Sequence, residues 1–319
     1  MTLKQEYSIC TEYKKRIDSL RPFPPETLQS LKEYYRVGLT YSSNALEGNS
    51  LTESETKLII EDGLTVNGRP LHDVYEAVGH AKAYDELYNI SKTKPLALAD
   101  ILRLHELFYH QINHEMAGKI RTGRVFLTGS RYKLPAPEAV PKLLNEFVDW
   151  FNASEDKLNP VEFAALVHQR FVFIHPFVDG NGRVARLLMN LSLMRSGYEI
   201  AIIPPILRGE YIAALEKAHR STKTFCSFIA LRVIETQKDL LRQFGYSTQL
   251  GTNKNGIQTL PSEEIFEYLS THPGLNAPAL AKQLNMSQRT VHRYLKKLSE
   301  DGRVEFRGAP KNGGYFTLK

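Results

Sequence analysis

Cysteine is nearly absent from this 319-residue chain, with Cys10 and Cys226 its only two. That excludes a disulfide-built scaffold. Neither thiol has a Cys or His close by in a zinc-binding spacing, so both are expected to be reduced structural thiols. Long apolar runs are missing too: no stretch approaches the roughly 20 residues that a membrane-spanning helix needs. The opening MTLKQEYSICTEYKKRIDSL carries charges where a signal peptide has its apolar segment. The expectation is a cytoplasmic protein with no membrane contact. Internal repeats of about 20 to 50 residues are also lacking, which excludes a solenoid, and there is no low-complexity tract. What is present is ordinary globular usage, 42% hydrophobic and 24% charged, at a length that suggests two domains of about 150 residues each. The net charge is 41 minus 35, or +6, and from Leu250 onward ten basic residues face six acidic ones, so the last fifth of the chain supplies +4 of it. A basic C-terminal module is expected.

Apolar spacing predicts helices over 71–90, 98–112, 141–151, 160–173, 183–195 and 225–244. Asn159 followed by Pro160 reads as a cap and a first-turn proline, and Gly197 reads as a helix stop. Residues 123–134, GRVFLTGSRYKL, place β-branched and aromatic residues around Thr128-Gly129-Ser130 and predict a β-hairpin. The polar, glycine-bearing stretch 245–261 is the expected linker. The fold class expected is therefore mainly α, a helical core with one hairpin, followed by a small separate unit.

The chemistry concentrates in His175–Arg186, HPFVDGNGRVAR, which lies between two helix patterns. Pro176 ends the first helix. Gly180-Asn181-Gly182 can adopt positive φ and turn successive backbone N–H groups toward one point, a nest that binds anions, and the N-terminus of the helix opening near Arg183 adds to that preference. On this helix Val184, Leu187, Leu188 and Leu191 cluster on one side while Arg186 points away and Arg183 lies near the boundary, so the arginines are expected to face the loop. A phosphate chain over the nest would meet two guanidinium groups, a carboxylate at Asp179 able to hold Mg²⁺, and an imidazole at His175 able to accept a proton. These are the parts of a phosphoryl or nucleotidyl transfer site. His110 and His114 share a metal-ligand spacing, but the sequence places no third ligand beside them and no structural metal is expected.

At these twelve residues the sequence resembles the Fic family, whose motif HPFx(D/E)GNGRxxR is matched at every specified position. The resemblance implies an all-α core that transfers AMP from ATP to a protein hydroxyl. It implies His175 as general base, Asp179 as the magnesium ligand, Gly180, Asn181 and Gly182 cradling phosphates, Arg183 on the phosphates as well, and Arg186 on the γ-phosphate. The hairpin at 123–134 is similar to the family's flap, which pairs by its backbone with a target segment, and Val125, Phe126 and Leu127 are the flap positions. Tyr211 stands where related proteins place a tyrosine near the adenine. His219 departs from an asparagine that many relatives carry beside the nucleotide. Upstream, Ser43-x-x-x-Glu47-Gly48 matches the inhibitory motif (S/T)xxxE(G/N) of Fic proteins that carry this helix on the N-terminal side. Were Glu47 to pair with Arg186, the γ-phosphate would lose its guanidinium and be repelled into an unproductive pose.

Residues 262–319 read as three helices and two short strands, the order of a winged helix, with Ser287 capping the third helix after the short Asn285-Met286-Ser287 connection. Arg289, Thr290, His292, Arg293, Lys296 and Lys297 on that helix suit phosphate contact, so duplex DNA is one candidate partner and a protein surface, including a second copy of the chain, is the other. The domains expected are an N-terminal helical region over 1–95 with the inhibitory helix around 43–48, a catalytic core over 96–244, the linker 245–261 and the winged helix. The function expected is an autoinhibited protein adenylyltransferase using ATP and Mg²⁺ on a Ser, Thr or Tyr hydroxyl of a target protein or of the chain itself. The alternatives are AMP removal, transfer of another phosphate-bearing group, and a DNA-binding regulator whose Fic part senses nucleotide.

Overall fold

At the centre of the larger unit lies a helix, Asn181–Arg195, with buried residues along most of its length. The computed structural model describes the chain apart from residues 128, 129, 131, 247, 249, 250, 253–257, 260, 285, 310–312 and 319, and it describes only the backbone of 251, 252, 258, 259 and 263. The chain divides into two units, Met1–Leu240 and Leu241–Lys319. In chain order the first carries α1 (Leu3–Asp18), α2 (Pro25–Ala45), α3 (Glu53–Ile60), α4 (Leu71–Ile90), α5 (Leu98–Tyr109), α6 (Val140–Ser154), α7 (Pro160–Ile174), the central helix α8, α9 (Arg208–Lys217) and most of α10 (Lys223–Gln243). The fold is mainly α, as its periodicity predicts. Asn159 caps α7 by accepting from the Val161 and Glu162 amides, with Pro160 in the first turn.

The antiparallel pair α7 and α8 is the spine, and α2, α4 and α5 close around α8. Leu104, Phe108, Phe163, Phe171, Phe177, Leu187, Leu188 and Leu191 are all fully buried in one cluster, and each such side chain contributes about 1.5–3 kcal/mol on burial. Residues on every side of α8 are covered, which corrects the two-faced reading of that helix: Arg183 and Arg186 are 2% and 1% exposed. The leucine stripe fills the core as expected. The opposite side is roofed by α2 and α4, and a helix buried all round keeps polar residues only where partners satisfy them.

The predicted hairpin is also corrected. Gly123 to Leu127 and Tyr132 to Leu134 carry no strand ladder, while Thr128, Gly129 and Arg131 lie outside the described residues. None of the described residues of this segment joins a sheet. His110 and His114 are both exposed, and α5 ends before them at Tyr109. Cys10 and Cys226 are free and buried.

In the second unit β1 (Gly251–Thr252) pairs with β2 (Gln258–Thr259) inside the segment read as linker, and α11 (Pro261–Thr271), α12 (Ala277–Gln283) and α13 (Gln288–Glu300) precede the antiparallel strands β3 (Val304–Arg307) and β4 (Gly314–Thr317). Ile265, Leu269, Leu280, Val291, Leu295, Leu298 and Val304 fill its core. Ser287 caps α13 by accepting from the Thr290 amide at 3.1 Å. Asn285 lies outside the described residues. Arg289, His292, Arg293 and Lys296 are exposed along α13, and Lys297 is half-buried over the Tyr246 ring at 3.6 Å. Among the described residues no helix is long and apolar enough to cross a membrane.

Candidate active site

The α7–α8 corner begins at His175, whose backbone is left-handed at φ 52, the one positive φ outside glycine among the described residues. Strain of this kind persists only where neighbours hold it. Its Nδ1 donates to the Val172 carbonyl at 3.3 Å, which leaves Nε2 with the basic lone pair. Burial pushes the His175 imidazole down to about 4, and the Arg121 guanidinium adds to the effect against the opposing Val172 contact. The ring is therefore neutral at neutral pH, with Nε2 unprotonated.

Asn181 clasps the loop: its side-chain amide accepts from Phe177 N and donates to Phe177 O, both at 2.9 Å. Phe177 in turn stacks on His105 with centroids 3.7 Å apart. His105 Nδ1 accepts from Gly118 N at 2.9 Å, so its proton sits on Nε2 and is donated to the Asp179 carbonyl at 3.2 Å. Gly180 turns the chain at φ 78, and α8 starts there with no side-chain cap. The amides at that N-terminus are left for an anion. The Asp179 carboxylate, half exposed at the rim, accepts from the Gly180 amide at 2.6 Å. One accessible carboxylate beside a phosphate-binding turn fits Mg²⁺, which takes one or two carboxylates together with substrate phosphates and water.

Arg183 and Arg186 are both committed. Arg183 pairs with Glu76 of α4 and, at 3.2 Å, with Asp179. The Arg186 Nε donates to Ser43 Oγ at 2.9 Å, and its Nη2 donates to the Ser43 carbonyl at 2.8 Å and to Glu47 Oε1 at 2.7 Å. Its Nη1 donates to the Tyr211 hydroxyl at 3.3 Å, and that hydroxyl is hydrogen-bonded to His168 Nε2 at 2.9 Å. Tyr211 is 3% exposed, so here it holds the guanidinium and offers no open wall for a base. Glu47 reaches further than Arg186. A Cβ added at Gly182 would overlap the Glu47 carboxylate, which therefore lies against the backbone of the nest itself. Burial by itself pushes the Glu47 carboxyl up, but Arg186, Arg183 and Arg208 outweigh it and hold the group below the usual carboxylate range. Gly48, at φ 102, turns the chain immediately after Glu47. Arg208 Nε donates to the Leu46 carbonyl at 2.7 Å, and Asn49 Nδ2 donates to Glu76 Oε2 at 2.8 Å, so the end of α2 is latched on both sides. His72, Asp73 and Glu76 approach a metal-ligand spacing, yet Ser50 takes Asp73 while Asn49 and Arg183 take Glu76.

The loop at 123–134 borders a cavity of about 550 Å³ lined by Val125, Phe126, Leu127, Tyr132, Lys133 and Leu134. Phe126 is 85% exposed. His219 lies between two rings, with Tyr132 and Phe173 each at 3.6 Å centroid separation, and so ties α9's end to the loop.

Residues 95–193 match the model of the Fic/DOC family, and 262–316 match that of an HTH domain. The protein adenylyltransferase Fic of Nematostella vectensis is 38% identical over 220 residues, 67% of this chain and 51% of that protein, so the chain spans about half the length of this curated relative. The structure of Fic-1 (aa134 - 508) from C. elegans superposes with a TM-score of 0.71 at 28% identity, covering 76% of this chain and 73% of that one. The Fic domain containing signaling protein of Bacteroides thetaiotaomicron VPI-5482 is 30% identical with a TM-score of 0.67, and the match covers 77% of this chain and 99% of that one. The chain belongs to the Fic family. In this Fic protein the motif residues and the upstream Ser43, Glu47 and Gly48 meet at one corner. Arg121, Glu76, His105 and Arg208 complete it without any sequence signal, since each acts through a contact between elements far apart in the chain.

Proposed function

We propose that this Fic protein is an autoinhibited protein adenylyltransferase, acting on a Ser, Thr or Tyr hydroxyl of a target protein or of itself. The observation that carries the reading is the Glu47 carboxylate, an anion from the turn after α2 seated on Arg186 and against Gly182 where the nest would take a phosphate. With Glu47 withdrawn, Arg186 and the free amides at the start of α8 are left to hold the β- and γ-phosphates of ATP. The target hydroxyl oxygen attacks the α-phosphorus, its proton passes to His175 Nε2, and the bond to the bridging oxygen breaks to release pyrophosphate. Asp179 would hold Mg²⁺, which when bound neutralises phosphate charge. The exposed Phe126 and Leu127 and the unladdered backbone of the loop suit an extended target segment. For the winged helix, the exposed Arg289, Arg293 and Lys296 favour duplex DNA over a protein surface.

Mass spectrometry after incubation with ATP and Mg²⁺ tests the transfer. The Glu47→Gly variant is expected to gain one AMP per modified hydroxyl, and Glu47→Gly/His175→Ala to gain none. A Glu47→Gly protein that binds ATP but neither gains mass nor modifies added protein overturns the reading in favour of a nucleotide sensor. Loss of AMP from a modified protein that requires Glu47 would indicate AMP removal instead.

A further inference from the structure

Arg121 lies outside the motifs, in the coil after α5, and is only 1% exposed. Its guanidinium meets no carboxylate among the described residues. It is satisfied by backbone carbonyls: Nε donates to His175 O at 2.7 Å, Nη1 to Gly123 O at 3.1 Å and Nη2 to Pro135 O at 2.8 Å. The Arg121 amide adds a fourth bond, to Pro176 O at 2.8 Å. Glu138 acts on it coulombically but takes none of its hydrogen bonds, so its position calls for a geometric reason. The acceptors supply one. Two of them are the carbonyls of left-handed His175 and of Pro176 after it, and the other two are the stems of the loop that borders the cavity. No strand ladder spans that loop among the described residues, so the planar fork of Arg121 does the closing that a ladder would do in a hairpin.

We infer that Arg121 is a positioning residue that sets the register between the general base and the target-docking loop. One rigid guanidinium fixes both the carbonyl of the strained histidine and the two points from which residues 124–134 spring. The hydroxyl presented along that loop therefore arrives at a set distance from His175. Such distances matter, because a misplacement of about 1 Å can cost about 10²-fold in rate. Arg121 touches neither nucleotide phosphate nor hydroxyl in this account. The inference rests on the transferase reading above.

The test uses the full chain in the Glu47→Gly background, comparing Arg121→Lys and Arg121→Met with the parent. The lysine keeps the charge and reaches one carbonyl at a time, so it should fold, hold KM for ATP within about twofold and lose about tenfold in kcat, with Arg121→Met losing about 10²-fold. Hydrogen exchange at the amides of 124–127 and 132–134 should quicken in both variants while that of α7 and α8 stays unchanged. Unchanged kcat in both variants, or kcat and ATP affinity falling in parallel with the melting temperature, overturns the inference. If Arg121→Met does not fold, Arg121→Lys decides. If the Glu47→Gly parent transfers nothing, the transferase reading fails on its own, and the exchange measurement still reports whether Arg121 fixes the loop: unchanged exchange then overturns the tie.

Discussion

Helices α8 and α13 each carry an arginine in the first turn, Arg183 and Arg289, and a second one turn on, Arg186 and Arg293. Their surroundings differ. Gly180 opens α8 in a left-handed turn with no side-chain cap, whereas Ser287 satisfies the Thr290 amide of α13. Arg183 and Arg186 of α8 are buried and engaged by Ser43, Glu47, Glu76 and Asp179, with only the Arg183 Nε lacking a partner among them, while Arg289 and Arg293 stand in solvent. An uncapped, roofed helix start makes a site in which one ligand must displace one competitor. A capped helix in water offers cations to any polyanion, at a strength set by salt. The first arrangement can be switched by a single carboxylate and the second cannot.

The largest expected effect lies on the buried side. His175→Ala in the Glu47→Gly background should lower the transfer rate by about 10²–10⁴ with ATP binding retained, measured with labelled ATP. Turnover equal to the parent's would remove His175 from the mechanism. Burial also sets acid stability. His80 and His105 are fully buried, and burial pushes their imidazoles down to about 3 and about 4. Between about pH 6.5 and 4 the unfolded chain takes up protons that the fold refuses, so stability should be full above about 6.5 and decline as pH falls through that window. Thermal melts across the range check this, and a flat profile contradicts it.

Ser43→Ala is expected to do less. It removes one acceptor from Arg186 Nε, loosens the seat of the brake and should raise the wild-type transfer rate about tenfold, in line with the lower end of about 1.5–3 kcal/mol for a hydrogen bond to a charged group. On the exposed helix, Arg293→Ala should leave transfer untouched and reduce the log–log salt slope of duplex binding by about 0.9. A second unit that shifts no duplex at low salt but captures another copy of the chain would assign α13 to protein contact.

The corner between α7 and α8 was legible because its chemistry is local: a proline, two glycines and an asparagine dictate a tight turn, and the twelve residues that form it are contiguous. Glu47 was legible only through the resemblance of Ser43-x-x-x-Glu47-Gly48 to the family's inhibitory motif, since that spacing alone is common. The burial of Arg183 and Arg186 was not, because helical periodicity shows which side carries leucines and says nothing of α2 and α4 covering the other side. The loop at 123–134 misled for a related reason, since β-branched residues favour extended backbone but a ladder needs a partner. Tyr211 was visible as an aromatic residue, but only the folded chain puts its hydroxyl between Arg186 and His168. Arg121 and Glu76 had no pattern at all, for the tie of Arg121 to His175 and the partner of Glu76 span 54 and 107 residues.

That Glu47 restrains the protein by occupying Arg186 is tested most directly by a double-mutant cycle on the rate of AMP incorporation. Glu47→Gly should raise the rate strongly in the wild-type background and leave it unchanged where Arg186 is already alanine. Equal activation by Glu47→Gly with and without Arg186 would contradict the account.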